Sequence, residues 1–334
     1  MKVLIVNQSE VAELLPMSEC IVVMAQALAT LARGEAIVPL RPVLWLPQRV
    51  GALGMMPGYL GDIKAMGVKV VSVFPGNHGT EYDSHQGTVL LFETEHGRLL
   101  AMMDASQITA IRTAATSGVA TRLLARDDAS DLAILGSGVQ ARSHLAAMLA
   151  VRDIQRVRVW SRNPDHARLF ATSQSQKHGL TIEVSASVPE AIAGAGIICT
   201  TTAAPEPILQ GAWLEPGVHI NAVGSSVAFT RELDTAAVVK SRLYIDRRES
   251  TVNEAGDFLF PQKEGAIDES HIVGEIGEIL IGTVAGRQSD NEITLFKSLG
   301  LAVEDVASAY HIYKKAGVTG KGTWVELGGE RHED

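Results

Sequence analysis

Cysteine is almost missing: Cys20 and Cys199 are the only two in 334 residues. They are far apart and lack zinc-type spacing, so two buried thiols in a reducing compartment are expected rather than a disulfide framework. Aromatic residues are also scarce, at 5%, while Ala, Val, Ile, Leu and Gly dominate, a palette that suits helices packed on a parallel sheet. The net charge is −9 and no long basic run exists, which argues against nucleic acid and anionic membranes as partners. An anionic ligand must then be met by local positive charge. No apolar run approaches the ~18 residues of a membrane span. The apolar opening, Met1 to Val6, is too short for a signal segment and reads as a first strand, so a cytoplasmic protein is expected. Histidines lack metal-ligand spacing, and no Ser–His–Asp pattern has supporting context, so neither a metal centre nor hydrolysis is expected.

What is present begins with the stretch Asp131-Leu-Ala-Ile-Leu-Gly-Ser-Gly-Val-Gln-Ala141. An apolar run, a glycine turn and a helix-like pattern from Val139 predict a strand, a tight turn and a helix N-terminus. Such an end offers free N–H groups and a positive dipole to a phosphate. Gly136 permits the turn, Gly138 lets a pyrophosphate approach the backbone, and Ala141 permits close packing. Downstream, strands at 156–160, 181–184, 197–201, 218–223 and 243–246 alternate with helices at 139–151, 164–178 and 188–193. This alternation predicts an α/β fold with a doubly wound parallel sheet. Upstream, helices are expected at 9–15 and 18–33. Short β-rich segments at 39–46, 52–56, 66–74, 88–92 and 99–104 imply an antiparallel meander. A long helix from Asp104 to about Leu124 follows. An amphipathic helix at 301–315 comes after the parallel sheet and is expected to pack back on the N-terminal part, leaving a tail from about Gly328.

The second strand of the alternating region ends in Trp160-Ser161-Arg162-Asn163. An NAD site usually carries an acid there, whereas Arg162 can pair with a 2′-phosphate and Ser161 can donate to it. A solvated surface arginine is the plain alternative; the pattern points to NADPH ahead of NADH. In the N-terminal part Arg41, Lys69 and Arg112 interrupt apolar surroundings. Lys69 alone reads equally as a lysine turned to water, and Arg112 as half of a salt bridge. Together the three can clamp a carboxylate, and a desolvated lysine can shuttle a proton. Ser84, His85 and Thr88 fall in a polar loop leading into a strand.

These stretches together resemble the ornithine cyclodeaminase/μ-crystallin family over nearly the whole chain. The residues are Met55-Met-Pro57, Lys69, Ser84 to Phe92, Asp104, Ile108 to Ala115, Gly136 to Ala141, Asn221-Ala-Val-Gly224, Arg231-Glu-Leu-Asp234 and Leu295 to Asp305. The resemblance implies a Rossmann domain at 126–300 and a substrate-binding and dimerisation domain at 1–125 completed by 301–334, forming a homodimer through the N-terminal sheet. It implies that Arg41, Met56, Lys69, Arg112 and Ser226 face an α-imino or α-amino acid, with Lys69 catalytic. Ser84, His85, Thr88, Arg112, Thr113, Gly136, Gly138, Val139, Gln140, Ser161, Arg162, Asn163, Thr201, Val223, Ser298 and Gly300 would face the dinucleotide. Cyclodeaminases carry an aspartate where Ser226 stands and an acidic substrate contact near Gly54; both are missing here. That favours the ketimine reductase branch and NAD(P)H-dependent reduction of a cyclic imino acid such as Δ1-pyrroline-2-carboxylate or Δ1-piperideine-2-carboxylate. Ornithine or lysine cyclodeamination, reductive amination of the alanine dehydrogenase type, and a non-catalytic NADPH-dependent carrier remain the alternatives.

Overall fold

The computed structural model describes residues 2–77 and 79–329, so the expected tail beyond Gly328 lies almost wholly outside the described residues. The chain divides into two compact units, residues 1–112 with 301–334, and residues 113–300. No single helix among the described residues is long and apolar enough to cross a membrane.

In the first unit, β1 (Lys2–Val6) leads into α1 (Gln8–Leu14) and α2 (Met17–Ala32). Asn7 starts α1 with a capping box: its side chain accepts from the Glu10 N–H, and Glu10 accepts from the Asn7 N–H. The strands β2 (Ala36–Ile37), β3 (Val43–Trp45), β4 (Ala52–Leu60), β5 (Ala65–Val73), β6 (His85–Glu93) and β7 (Leu99–Asp104) follow. From β4 to β7 they form the expected antiparallel meander. The sheet as a whole is mixed, because β1 pairs with β7 in parallel and with the C-terminal strand Thr323–Glu326 in antiparallel fashion. Polar Ser84-His85-Gln86 suggests a loop, yet β6 starts at His85, because Val73 and Ser72 of β5 supply a ladder for His85 and Gln86.

Side chains alternate across the sheet. Met56, Lys69, Val89 and Met103 form one cross-strand row and are all buried. The long returning helix Ala302–Thr319 packs against β4, β5 and β6 and against α2. The opposite row, Pro57, Val68, Leu90 and Met102, is also apolar but only half-buried.

The continuous helix α3 (Ala105–Leu124) leads into the second unit. There β8 (Asp131–Leu135), β9 (Arg156–Trp160), β10 (Ile182–Val184), β11 (Ile197–Thr200), β12 (His219–Ala222), β13 (Arg242–Ile245), β14 (Ile272–Glu275) and β15 (Thr294–Lys297) make one sheet. Its order is β10-β9-β8-β11-β12-β15-β13-β14 and every pairing is parallel. The strands are short, and the central ones, β8, β11, β12, β15 and β13, are almost wholly buried, as strands covered on both faces are. Connections run in opposite directions from β8, so the topological switch lies between β8 and β11, where open α/β sheets bind ligands. The helices α4 (Val139–Val151) and α5 (Pro164–His178) follow β8 and β9.

Candidate active site

Lys69 points inward from β5 and is 3% exposed, so the lysine turned to water is not what the fold builds. Its Nζ lies 2.9 Å from Asp305 Oδ2 and donates to Thr109 Oγ1 at 3.3 Å. Arg112, on α3 and equally buried, places Nε 3.0 Å from Asp305 Oδ1 and Nη1 2.7 Å from Glu304 Oε2. Asp305 thus bridges the two cations, and Glu304 holds the second one from the same helical turn. Burial pushes the Lys69 ammonium down to about 8; the Arg112 charge works in the same direction, and the Asp305 carboxylate opposes both. Arg112 is held well above its ordinary value by Asp305 and Glu304 despite its burial. Asp305 and Thr109 account for at most two of the three Lys69 N–H donors, and no third partner occurs among the described residues.

Met56 is the in-register neighbour of Lys69 on β4. Arg41 lies half-buried just before β3. Thr88 stands on the opposite sheet face in line with Asp104, its hydroxyl bonded to the Met103 carbonyl at 3.0 Å. Ser84 and His85 are joined through Oγ and Nδ1 at 3.0 Å, and the His85 carbonyl accepts from Ser106 Oγ at 2.9 Å. At the β6–β7 turn Glu93, Glu95 and His96 bring possible ligand atoms within 4.8 Å of one another, but Glu93 already accepts from the backbone N–H groups of Glu95, His96 and Arg98.

In the second unit, parallel register aligns Trp160, Leu135, Thr200, Ala222 and Lys297 in one row across the sheet. The residues that follow them, Ser161, Gly136, Thr201, Val223 and Ser298, therefore share the C-terminal sheet edge. Gly136 adopts φ +127°, and a Cβ there would lie 2.6 Å from Thr201 Oγ1 and 2.8 Å from the Thr201 carbonyl. Thr201 is fixed by two bonds to the Leu135 carbonyl, from its N–H at 2.8 Å and its hydroxyl at 3.1 Å. Gly138 heads α4 with no side-chain cap, and a Cβ on it would meet nothing within 4 Å. Val139, the first helical residue, is half-exposed, and the Gln140 Oε1 is buried without a partner among the described residues. Ser137 and Ser161 are linked hydroxyl to hydroxyl at 3.0 Å, while Arg162 and Asn163 are exposed. The Asn163 side chain caps α5 by accepting from the Asp165 N–H at 2.9 Å.

Beyond β12, Ser226 is half-buried. Beyond β15, Asp246 Oδ2 accepts from the N–H groups of Leu299 and Gly300 at 2.6 and 2.8 Å and fixes that turn. The Ser298 hydroxyl is buried without a partner among the described residues. An uncapped helix end, open space over Gly138 and orphaned polar atoms on Gln140 and Ser298 fit a bound dinucleotide: free N–H groups await phosphate oxygens, and the orphans await polar groups.

Asp305 and Glu304 were absent from the sequence-derived site. Their signal lay in the returning helix, where an acid pair sits between Val303 and Val306 within an apolar stretch. Carboxylates so placed need buried cations, and Lys69 and Arg112 were the available ones.

The model of the ornithine cyclodeaminase/mu-crystallin family matches residues 1–320. The ketimine reductase mu-crystallin of Mus musculus is 40% identical over 290 residues, covering 86% of this chain and 88% of that protein. The solved Δ1-pyrroline-2-carboxylate reductase of Thermococcus litoralis, in complex with NADH and L-proline, superposes with a TM-score of 0.93. It is 42% identical and covers 96% of this chain and 99% of that one. An archaeal alanine dehydrogenase dimer with bound NAD gives a TM-score of 0.92 at 32% identity, covering 98% of this chain and all of the other.

Proposed function

This chain belongs to the ornithine cyclodeaminase/mu-crystallin family, and on that premise we propose that it reduces the C=N bond of a small cyclic α-imino acid with a reduced nicotinamide dinucleotide, giving the L-amino acid. Δ1-Pyrroline-2-carboxylate and Δ1-piperideine-2-carboxylate are the substrates of first choice. The Thermococcus litoralis relative, with NADH and L-proline bound, and the murine ketimine reductase support this choice.

The observation that carries the reading is the buried Lys69 ammonium with an N–H to spare beside the Arg112 guanidinium. Arg112 and Arg41 orient the substrate carboxylate. Lys69 contacts the same carboxylate and donates a proton to the ring nitrogen. Two cations and two carboxylates make the cluster of Lys69, Arg112, Glu304 and Asp305 formally neutral. An arriving substrate anion therefore favours the charged form of Lys69, which loads the acid as the substrate binds. The exclusion of water around Lys69 strengthens each of these interactions. When bound at the C-terminal sheet edge, the dinucleotide supplies hydride to the imine carbon. Gly136, Gly138 and the N–H groups of α4 would hold its pyrophosphate, and Ser298 and Gly300 would meet its nicotinamide half.

NADPH is the preferred cofactor in this proposal, supported by exposed Arg162 where an acidic residue would select NADH. The hydroxyl of Ser226 in place of a carboxylate favours imine reduction over deamination. The assembly is a homodimer: the half-buried apolar sheet face of Pro57, Val68, Leu90 and Met102, flanked by exposed Met55 and Met66, calls for a partner of like surface. The archaeal relative is itself a dimer. A cytoplasmic location belongs to the same proposal.

The test is NADPH and NADH oxidation with each cyclic imino acid, with the chirality of the product determined. Formation of L-proline or L-pipecolate supports the reading. No turnover of either imine at high enzyme concentration overturns it, and ammonia release from ornithine without added reductant would substitute cyclodeamination.

A further inference from the structure

Behind the sheet edge lies a chain of buried charges that the reaction as described does not use. Glu232 is fully buried. One carboxylate oxygen accepts from Thr200 Oγ1 and from the Gly224 N–H, both at 2.7 Å. The other accepts from the Thr202 N–H at 2.6 Å and Thr202 Oγ1 at 2.7 Å. Four donors therefore converge on one side chain, from the last residue of β11 and from the segments that follow β11 and β12. Those segments touch: a Cβ on Gly224 would fall 2.0 Å from the Thr202 carbonyl and 2.6 Å from Glu232 Oε1, so only glycine fits.

A second layer holds Glu232 in place. Asp257 Oδ1 accepts from the N–H groups of Glu232 and Leu233 at 2.8 and 3.0 Å. Asp257 Oδ2 lies 3.0 Å from Lys297 Nζ, and Lys297 also donates to the Ser225 carbonyl. Lys297 is the last residue of β15, directly before Ser298. Three buried charges thus tie together the ends of β11, β12 and β15. Buried ion pairs are a poor way to gain stability, because desolvation offsets most of their attraction. What they fix is geometry. Thr201, clamped between the two Glu232-bonded threonines, packs on Gly136 of the glycine turn, and Val223 precedes the bonded Gly224.

We propose that Glu232 is a positioning residue for dinucleotide binding and hydride transfer: its carboxylate locks the β11 and β12 segments into the shape that Thr201 and Val223 present to the nicotinamide half of the cofactor. This rests on the proposed reductase activity. Burial and the nearby Asp257 carboxylate raise the proton affinity of Glu232, but each of its oxygens faces a backbone N–H, so an amide in its place would turn N–H against N–H.

The test compares Glu232→Gln with Thr202→Val and Thr202→Ser, which remove and keep one of the four donors without changing charge. NADPH binding is read directly by nucleotide fluorescence, alongside steady-state kinetics with Δ1-pyrroline-2-carboxylate. In folded Glu232→Gln the dissociation constant for NADPH rises at least tenfold and kcat falls, while KM for the imino acid stays within twofold. Thr202→Val shows the same split at about fivefold, the scale of one hydrogen bond, and Thr202→Ser restores wild-type values. If Glu232→Gln does not fold, the threonine pair decides. Unchanged NADPH affinity and kcat in folded Thr202→Val overturn the proposal. Failure of the wild type to reduce either imine is a separate result: it removes the activity, while the nucleotide titrations still read the role of Glu232 in binding.

Discussion

Asp305 places one carboxylate oxygen 2.9 Å from Lys69 Nζ and the other 3.0 Å from Arg112 Nε. This bridge opposes the lowering that burial imposes on Lys69. The proposed imine reduction uses the protonated form of Lys69, whose affinity for protons burial lowers to about 8. The rate with free enzyme is therefore full below that value and falls as pH rises through it. Asp305→Asn removes the group that opposes the lowering, so the alkaline limb of kcat/KM moves to lower pH. The cost in stability is about 3–5 kcal/mol, as for other broken buried pairs. Lys69→Met removes the donor and lowers kcat about 10²–10⁴-fold with the fold retained. pH–rate profiles check both variants; an unmoved limb in Asp305→Asn contradicts the bridge.

In the proposed reading, exposed Arg162 carries the cofactor preference. Arg162→Ala loses a charge-assisted pairing worth about 1.5–3 kcal/mol, so kcat/KM for NADPH falls roughly 10- to 100-fold. The value for NADH stays within about twofold. Parallel kinetics with the two nucleotides measure this, and an unchanged value for both would assign Arg162 to the solvent.

Gly136→Ala sets a side chain against Thr201 in a backbone conformation, φ +127°, that L-residues rarely adopt. The strain is of order 1–3 kcal/mol, and the glycine turn must shift to relieve it. Thermal melting should fall, and NADPH affinity should fall with it.

The half-buried outer face of the N-terminal sheet predicts assembly. Met55 and Met66 are each more than a third exposed, so replacing both with glutamate leaves the folded chain intact but sets like charges across a self-complementary contact. Sedimentation should show a wild-type dimer and a monomeric double variant. A wild-type monomer contradicts the prediction.

His144 gives the chain a pH-dependent stability unrelated to catalysis. Its Nδ1 bonds to the Gln140 carbonyl at 2.8 Å, which requires an N–H there, and its Nε2 lies 2.9 Å from Ser117 Oγ. Burial lowers its proton affinity from an ordinary 6.5 to about 4. The unfolded chain binds this proton at higher pH than the folded one, so stability is full above about 6.5 and is lost as pH falls toward 4, by up to about 1.4 kcal/mol per unit. His144→Gln should flatten the dependence of melting temperature on pH in that window.

Much of this molecule was legible because its pattern is local. The boundaries of β8, β9 and α5 follow from apolar runs closed by Gly136, by Ser161 and by a proline followed fifteen residues later by Gly179. Non-local chemistry was harder to read. The strand Thr294–Lys297 ends in a lysine, which suggests an exposed terminus until Asp257 is seen to pair with it. Glu304 and Asp305 resemble ordinary first-turn acids until the fold brings Arg112 and Lys69 to them across some 190 and 236 residues of chain. Glu232 belongs to a recognisable motif, but its four donors come from three separate positions of the chain. Sequence spacing reports faces of elements, whereas buried charge networks report which faces meet.

The proposed imine reduction requires hydride delivery to the carbon that bears the carboxylate. It is tested most directly by incubating the enzyme with Δ1-pyrroline-2-carboxylate and dinucleotide carrying deuterium at nicotinamide C4 on the transferred face, then locating the label by mass spectrometry and NMR. L-Proline carrying one deuterium at Cα, with label transfer strongly slowed in Lys69→Met, is the predicted result. Proline without Cα deuterium from either C4 face, or no proline at all, would contradict it.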